Sequence, residues 1–172
     1  GLRGDLSNFE QNAHSLAAAN SPAAFQVLIQ YLKQNEPLSQ RSIVLTALKD
    51  ASPAVVPELM TGLNDPDAGV RAGVAQVLGL RGEHRATVAL TDSTRDTDAD
   101  VRREAVKSLG ALDAWQVLPR LEQLRVNEPN SDVRQAAMAV QESFKNEIAQ
   151  AIGVLAPELR DVSVTTGDAP PI

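Results

Sequence analysis

Four arginines, Arg41, Arg71, Arg102 and Arg134, have the spacing in this chain that most suggests a chemical task. Each follows a hydrogen-bond acceptor by six residues: Asn35, Asp65, Asp96 and Glu128 respectively. A guanidinium presents five N–H donors in a planar fork that matches a carboxylate two-pronged, so such a pair can tie two segments together where water is scarce. It stays protonated at any ordinary pH. The chemistry these residues offer is therefore charge recognition and cross-linking.

Other reactive groups are sparse. His14 and His84 are the only histidines, and neither has the partner spacing of a zinc site or of a Ser-His-Asp relay. Both read as surface or cap residues, and no catalytic, metal or cofactor site is expected. The run Asp92, Asp96, Asp98, Asp100 invites comparison with a calcium loop. However, Val101 stands where an EF-hand needs glycine and Lys107 where it needs a bidentate glutamate. The run reads better as carboxylates facing the positive end of a helix macrodipole. A glycine-rich phosphate cradle is also missing.

The chain has 172 residues, about one domain by length. Its 16 basic and 22 acidic residues give a net charge of -6, which disfavours nucleic acid as a partner. Aromatic residues make up 3%, and the prevalence of Ala and Leu suits helices packed closely through small side chains. The apolar runs fall short of the roughly 20 residues a membrane span needs. With no cysteine the redox compartment is open. The start at Gly1-Leu2-Arg3 and the Pro-rich last residues suggest excision from a longer protein, with 161–172 an extended tail or linker to a neighbouring domain.

The elements that must position the arginines show as a repeat. Three segments are variants of one phrase: DPDAGVRAGVAQVLG from Asp65, DTDADVRREAVKSLG from Asp96 and EPNSDVRQAAMAVQE from Glu128. Their Val-Arg pairs are 31 and 32 residues apart, and a weaker copy from Asn35 places Arg41 thirty residues before Arg71. Counting from the residue before each arginine, offsets four, five and eight are apolar: Val74, Ala75 and Leu78; Ala105, Val106 and Leu109; Val44, Leu45 and Leu48; Ala137 and Met138. At 100° per residue these positions share one helix face. Each phrase is the second helix of a unit, and the arginine falls within its apolar arc, where it needs a partner.

Amphipathic runs upstream supply the first helices: Phe25 to Leu32, Val55 to Leu63, Ala86 to Leu90 and Val117 to Val126. Ser21-Pro22 and Ser52-Pro53 open two of them as N-cap and first helical residue. Gly79, Gly82 and Gly110 stand where second helices should stop. The last copy lacks a glycine near Gln141, so its helix should run toward Gln150 or beyond and close the stack. The resulting units are 22–50, 53–82, 84–112 and 114–150, in a single domain of 1–160. A capping helix over 5–19, with Leu6, Phe9, Ala13 and Leu16 at helical spacing, precedes them.

This pattern resembles the HEAT repeat, in particular the bacterial HEAT-like repeats grouped with phycobilisome lyases. The resemblance spans Ser21 to Phe144 and is strongest from Asp65 to Gly110. It implies an all-α fold, a right-handed α-α superhelix of about four helical hairpins with capping helices. It also implies an inter-helix Asp and second-helix Arg stacked as a ladder between units, with second helices lining the concave face. Asn35 and Glu128 depart from the family's aspartate. In HEAT-like iron hydroxylases the ligands are His-Glu pairs, the reverse of Glu83-His84. HEAT-like DNA glycosylases use basic and aromatic grooves, whereas here Trp115 reads as a packing residue at a repeat junction. The ladder reads as structural.

The face that projects away from the core, at offsets two and six, is the better binding candidate: Ser42, Thr46, Ala72, Gln76, Arg103, Lys107, Gln135 and Ala139. Arg103 and Lys107 form its basic spot. The expected function is a non-enzymatic scaffold presenting this surface to a protein or peptide. The alternative is a regulatory or lyase-like subunit active only with a partner.

Overall fold

The computed structural model describes residues 2–34 and 36–160, with side-chain surroundings over 5–34 and 36–153. Asn35 and the expected tail over 161–172 lie outside the described residues. Within them the chain forms helices α1 (Leu2–Ala18), α2 (Pro22–Gln30), α3 (Leu38–Asp50), α4 (Val56–Gly62), α5 (Ala68–Leu80), α6 (Thr87–Ser93), α7 (Ala99–Ala111), α8 (Leu118–Asn127) and α9 (Ser131–Arg160). Single 3-10 turns at Pro53–Val55, His84–Ala86 and Trp115–Val117 lead into α4, α6 and α8.

The two polar residues that open each phrase have separate tasks. The third residue caps the second helix: Asp67 accepts from the N–H groups of Gly69 and Val70, Asp98 from Asp100 and Val101, and Asn130 from Asp132 and Val133. Those are donors that a helix N-terminus otherwise leaves unpaired. The first residue accepts the N–H of the third, at 2.8 Å for Asp65, 2.9 Å for Asp96 and 3.1 Å for Glu128, which fixes the turn between the two helices. Ser21 caps α2 through the N–H of Ala24. Ser52 caps the 3-10 turn at Pro53, so the α-helix there starts later than the Ser-Pro signal predicts.

Second helices lie side by side, α3 against α5, α5 against α7 and α7 against α9, with α1 against α3 at one end. The predicted offsets supply the contacts. Val44, Leu48, Val74, Ala75, Leu78, Ala105, Val106, Leu109 and Ala137 are buried. All of these but Ala105 join Phe25, Leu28, Leu59, Leu90 and Leu121 from the first helices in one core. Full burial of each large aliphatic chain stabilises by about 1.5–3 kcal/mol, which here replaces the aromatic mass of a larger core. Trp115 stacks on Phe144 with ring centroids 4.4 Å apart, joining α9 to the start of the last unit.

Gly82 stands where α5 ends, as expected, whereas Gly79 and Gly110 act differently from the sequence expectation. Gly79 and Gly110 do not stop their helices, which run on to Leu80 and Ala111. The turns that follow are made by Gly82 at φ +66 and Asp113 at φ 48. Gly79 and Gly110 allow close approach instead: a Cβ on Gly79 would fall 2.7 Å from the backbone Cα of Ser108, and one on Gly110 2.7 Å from Val140 Cγ2.

Arg81, at the end of α5, has no place in the repeat pattern. Its Nη1 donates to the carbonyls of Leu48, Lys49 and Ala51 at 2.6–2.8 Å, closing the C-terminus of α3 in the preceding unit. Burial pushes this guanidinium below its ordinary pKa, and its Nε has no partner among the described residues. Carbonyl charge at a helix end compensates. Arg81→Ala should lower stability by about 2 kcal/mol in urea unfolding, with Arg81→Lys recovering part of it. An unchanged midpoint would show that water can replace the fork.

Candidate functional site

The four arginines lie where the second helices begin, and the structure changes their expected pairing. Arg71 Nη1 donates to the main-chain carbonyls of Asp65 and Pro66 at 2.8 and 3.1 Å, so the acceptor six residues earlier contributes its backbone and not its carboxylate. The carboxylate comes from the following unit. Arg71 Nε and Nη2 meet the two Asp96 oxygens, both at 2.8 Å. Arg102 repeats the arrangement, with Nη1 on the carbonyls of Asp96 and Thr97 and its fork on Glu128 at 3.0 and 2.6 Å. The expected pairs Asp65 with Arg71, Asp96 with Arg102 and Glu128 with Arg134 are therefore corrected: each arginine takes the main-chain carbonyl of that acceptor, while the Asp96 and Glu128 carboxylates go to the arginine of the preceding unit.

Each closed rung is shielded. Arg71 and Asp96 side chains are 15% and 14% exposed, Arg102 and Glu128 13% and 5%. Burial works to raise the Asp96 carboxyl, but the Arg71 fork, the Asp98 N–H and nearby Arg102 hold it below the usual carboxylate range. The same opposition holds Glu128 low, through Arg102, the Asn130 N–H and Arg120. The outer rungs differ. Asp65 gives its carboxylate to Gln30 Nε2 and the Asp67 N–H, and Arg41 donates to the carbonyl of Gly69 at 3.5 Å. Arg134 donates to the carbonyls of Glu128 and Pro129.

An open groove of about 330 Å³ crosses α3, α5 and α7. Gln34, Arg41, Ser42, Gln76, Asp100, Arg103 and Glu104 give it polar walls, Leu38 and Leu45 apolar ones, and Gly69 and Ala72 a shallow floor. Gln76 and Arg103 of the predicted binding column thus share this groove with Arg41. Thr46, Lys107 and Gln135 are exposed outside its lining, whereas Ala72, expected to project outward, is 6% exposed. The expected basic spot is neutralised. Arg103 pairs with Asp100 at 2.5 Å and with Glu104 at 3.1 Å, and Lys107 also reaches Glu104 at 3.1 Å. Spacing of three residues on α7 favours the Arg103–Asp100 and Lys107–Glu104 pairs.

His14, Asp50 and Ser52 line a second groove, bringing together the residue types of a relay. They form none: the Ser52 hydroxyl donates to Asn20 Oδ1 and accepts the Ala54 N–H, and no hydrogen bond joins it to His14. Among the described residues no three His, Asp or Glu side chains are grouped to hold a metal ion, and no helix is long and apolar enough to cross a membrane.

The architecture has a counterpart among known proteins. The chain matches the family described as HEAT repeats over residues 25–100 and again over 56–141. It belongs to the HEAT-repeat family. A curated relative, phycocyanobilin lyase subunit beta of Nostoc sp., is 36% identical over 98 residues, covering 56% of this chain and 48% of that protein. The chain spans about half the length of that relative.

Within the HEAT stack, three polar fasteners escaped the sequence reading. Arg81 closes α3, as above. Arg120 spans one unit to Thr94, with Nε on the hydroxyl at 2.9 Å and Nη2 on the carbonyl at 2.8 Å. Ser108 donates to the carbonyl of Ala75 at 2.8 Å, directly across the contact that Gly79 permits. Each breaks the repeat period, so self-similarity could not reveal it; Ser108 alone had a signal, as a polar residue inside an apolar arc.

Proposed function

We propose that this HEAT-repeat chain is a binding scaffold that docks a protein or peptide on its second-helix face and performs no chemistry itself. The observation that carries the reading is the groove across α3, α5 and α7. It combines exposed apolar surface at Leu38 with both donors and acceptors, and it contains no nucleophile coupled to a base. A partner with mixed polar and aliphatic side chains suits such walls. The net charge of -6 speaks against nucleic acid.

A second reading draws on the relative from Nostoc sp.: a subunit of lyase type, active only in complex with a partner. Leu38→Asp with Gln76→Lys changes two groove residues with little risk to the fold, because Leu38 is 83% exposed. A protein cross-linked to the wild-type groove should be retained at least about tenfold less by this variant. Equal retention would sink the groove assignment. Catalysis that appears only when the captured partner is added would favour the second reading.

A further inference from the structure

Among the described residues the arginine ladder leaves the fork of Arg134 set but unfilled. Arg71 and Arg102 divide their donors identically, Nη1 on two carbonyls of their own loop and Nε with Nη2 on the next unit's carboxylate. Arg134 has the first half of this arrangement, with Nη1 at 2.6 Å from the carbonyl of Glu128 and 2.9 Å from that of Pro129. No carboxylate among the described residues meets its Nε and Nη2. The side chain is thus already oriented by its own loop, and a carboxylate that meets it gains two charge-assisted hydrogen bonds without ordering the arginine.

A neighbouring position on each helix gives independent support. Ala75 and Val106, four residues after Arg71 and Arg102, are 0% exposed because the following second helix covers them. Met138, four residues after Arg134, is 52% exposed. Further along α9, beyond the last buried residue Phe144, Ile148 and Ile152 are also exposed. Met138 and the fork together have the chemistry of an inter-unit contact whose other side is absent among the described residues.

We propose that this edge of α9 docks a helical hairpin of a partner protein, one with Asp or Glu in the turn before its second helix. In both closed rungs the carboxylate also accepts the N–H two residues on, from Asp98 or Asn130, so it is held by a turn rather than carried on a mobile segment. In both, the helix after that turn lies along the arginine's helix. An acidic turn feeding a helix with an apolar face fits Arg134 and Met138 simultaneously. The inference rests on the scaffold reading and places a second contact on the edge of the stack, apart from the groove.

The test is made on the full chain, with a synthetic peptide of residues 114–145, which contains the Glu128 turn, as probe. In side-chain NMR the Nε–H protons of Arg71 and Arg102 should exchange slowly and that of Arg134 fast, becoming slow when peptide is added. Binding should weaken at least about tenfold with Arg134→Ala, with Met138→Asp, or with Glu128→Gln in the peptide, less with Arg134→Lys, and not at all with Leu38→Asp. That last arm separates failure here from failure of the groove reading. Slow exchange at Arg134 in the free chain would overturn the proposal. If dilution or Asp161→Asn with Asp168→Asn then released it, a second copy or the chain's own tail would be the occupant. Binding indifferent to Arg134→Ala, or no saturable binding up to about 1 mM, would overturn it equally.

Discussion

Arg102→Leu should lower the unfolding free energy by about 3–5 kcal/mol, the range for breaking a buried ion pair by removing one partner. The stranded group is Glu128, whose side chain is 5% exposed, and its desolvation is then uncompensated. Arg102→Leu with Glu128→Leu should recover most of the loss, because a buried pair adds little over apolar packing of similar volume. Urea unfolding of the two variants checks this; equal losses would mean that the cost lies in the loop carbonyls of Asp96 and Thr97, which both variants abandon. Acid separates the contributions further. Asp96 and Glu128 have folded pKa values held below their unfolded ones, so their stabilisation is complete above the unfolded values near 4 and fades as pH falls through the folded values. Arg102→Leu should blunt that fading, since Asp96 then remains as the main source.

At Gly79 the expected loss comes from geometry. A Cβ there would lie 2.5, 2.6 and 2.7 Å from Oγ, Cβ and Cα of Ser108, and a backbone atom cannot rotate out of the way. Gly79→Leu must therefore push α5 and α7 apart and break the hydrogen bond from Ser108 to the Ala75 carbonyl. The cost should be about 3 kcal/mol or more, at the upper end for overpacking, and even Gly79→Ala should show most of it. Gly153→Ala is the control. Nothing lies within 4 Å of a Cβ there, so the helix should gain about 0.5–1 kcal/mol from the alanine. A Gly79→Ala protein as stable as the control would show that α5 and α7 can separate without loss.

The period of the apolar residues made the helices legible, and the polar phrase made their starts legible, because both are local. Asp67 caps the helix two residues after Asp65, and sequence spacing reports such a contact directly. What spacing could not report was direction across units. Asp96 stands six residues before Arg102 and twenty-five after Arg71, and the nearer pairing in sequence is not the pairing of the carboxylate. Gly79 and Gly110 misled for the same reason: a helix end and a close helix contact both favour glycine, and only the neighbouring helix distinguishes them. Arg103 looked like a free charge because its own helix, with Asp100 and Glu104, was not weighed against it.

Fastening at both ends governs how the stack responds to load. Between α5 and α7 the Arg71–Asp96 pair sits near one end and the Gly79–Ser108 contact near the other; between α7 and α9 the Arg102–Glu128 pair and the Gly110–Val140 contact play the same parts. Between α3 and α5 the far end is clamped by Arg81, whereas among the described residues the near end is held by longer single hydrogen bonds, 3.3 Å from the Gln34 N–H to Asp67 and 3.5 Å from Arg41 to the Gly69 carbonyl. Tension along the stack would therefore open this junction as a wedge, pivoting at Arg81 and widening at Arg41. The compliant mouth of that wedge is the groove itself, so a partner seated there would both feel and resist the bending of the whole molecule.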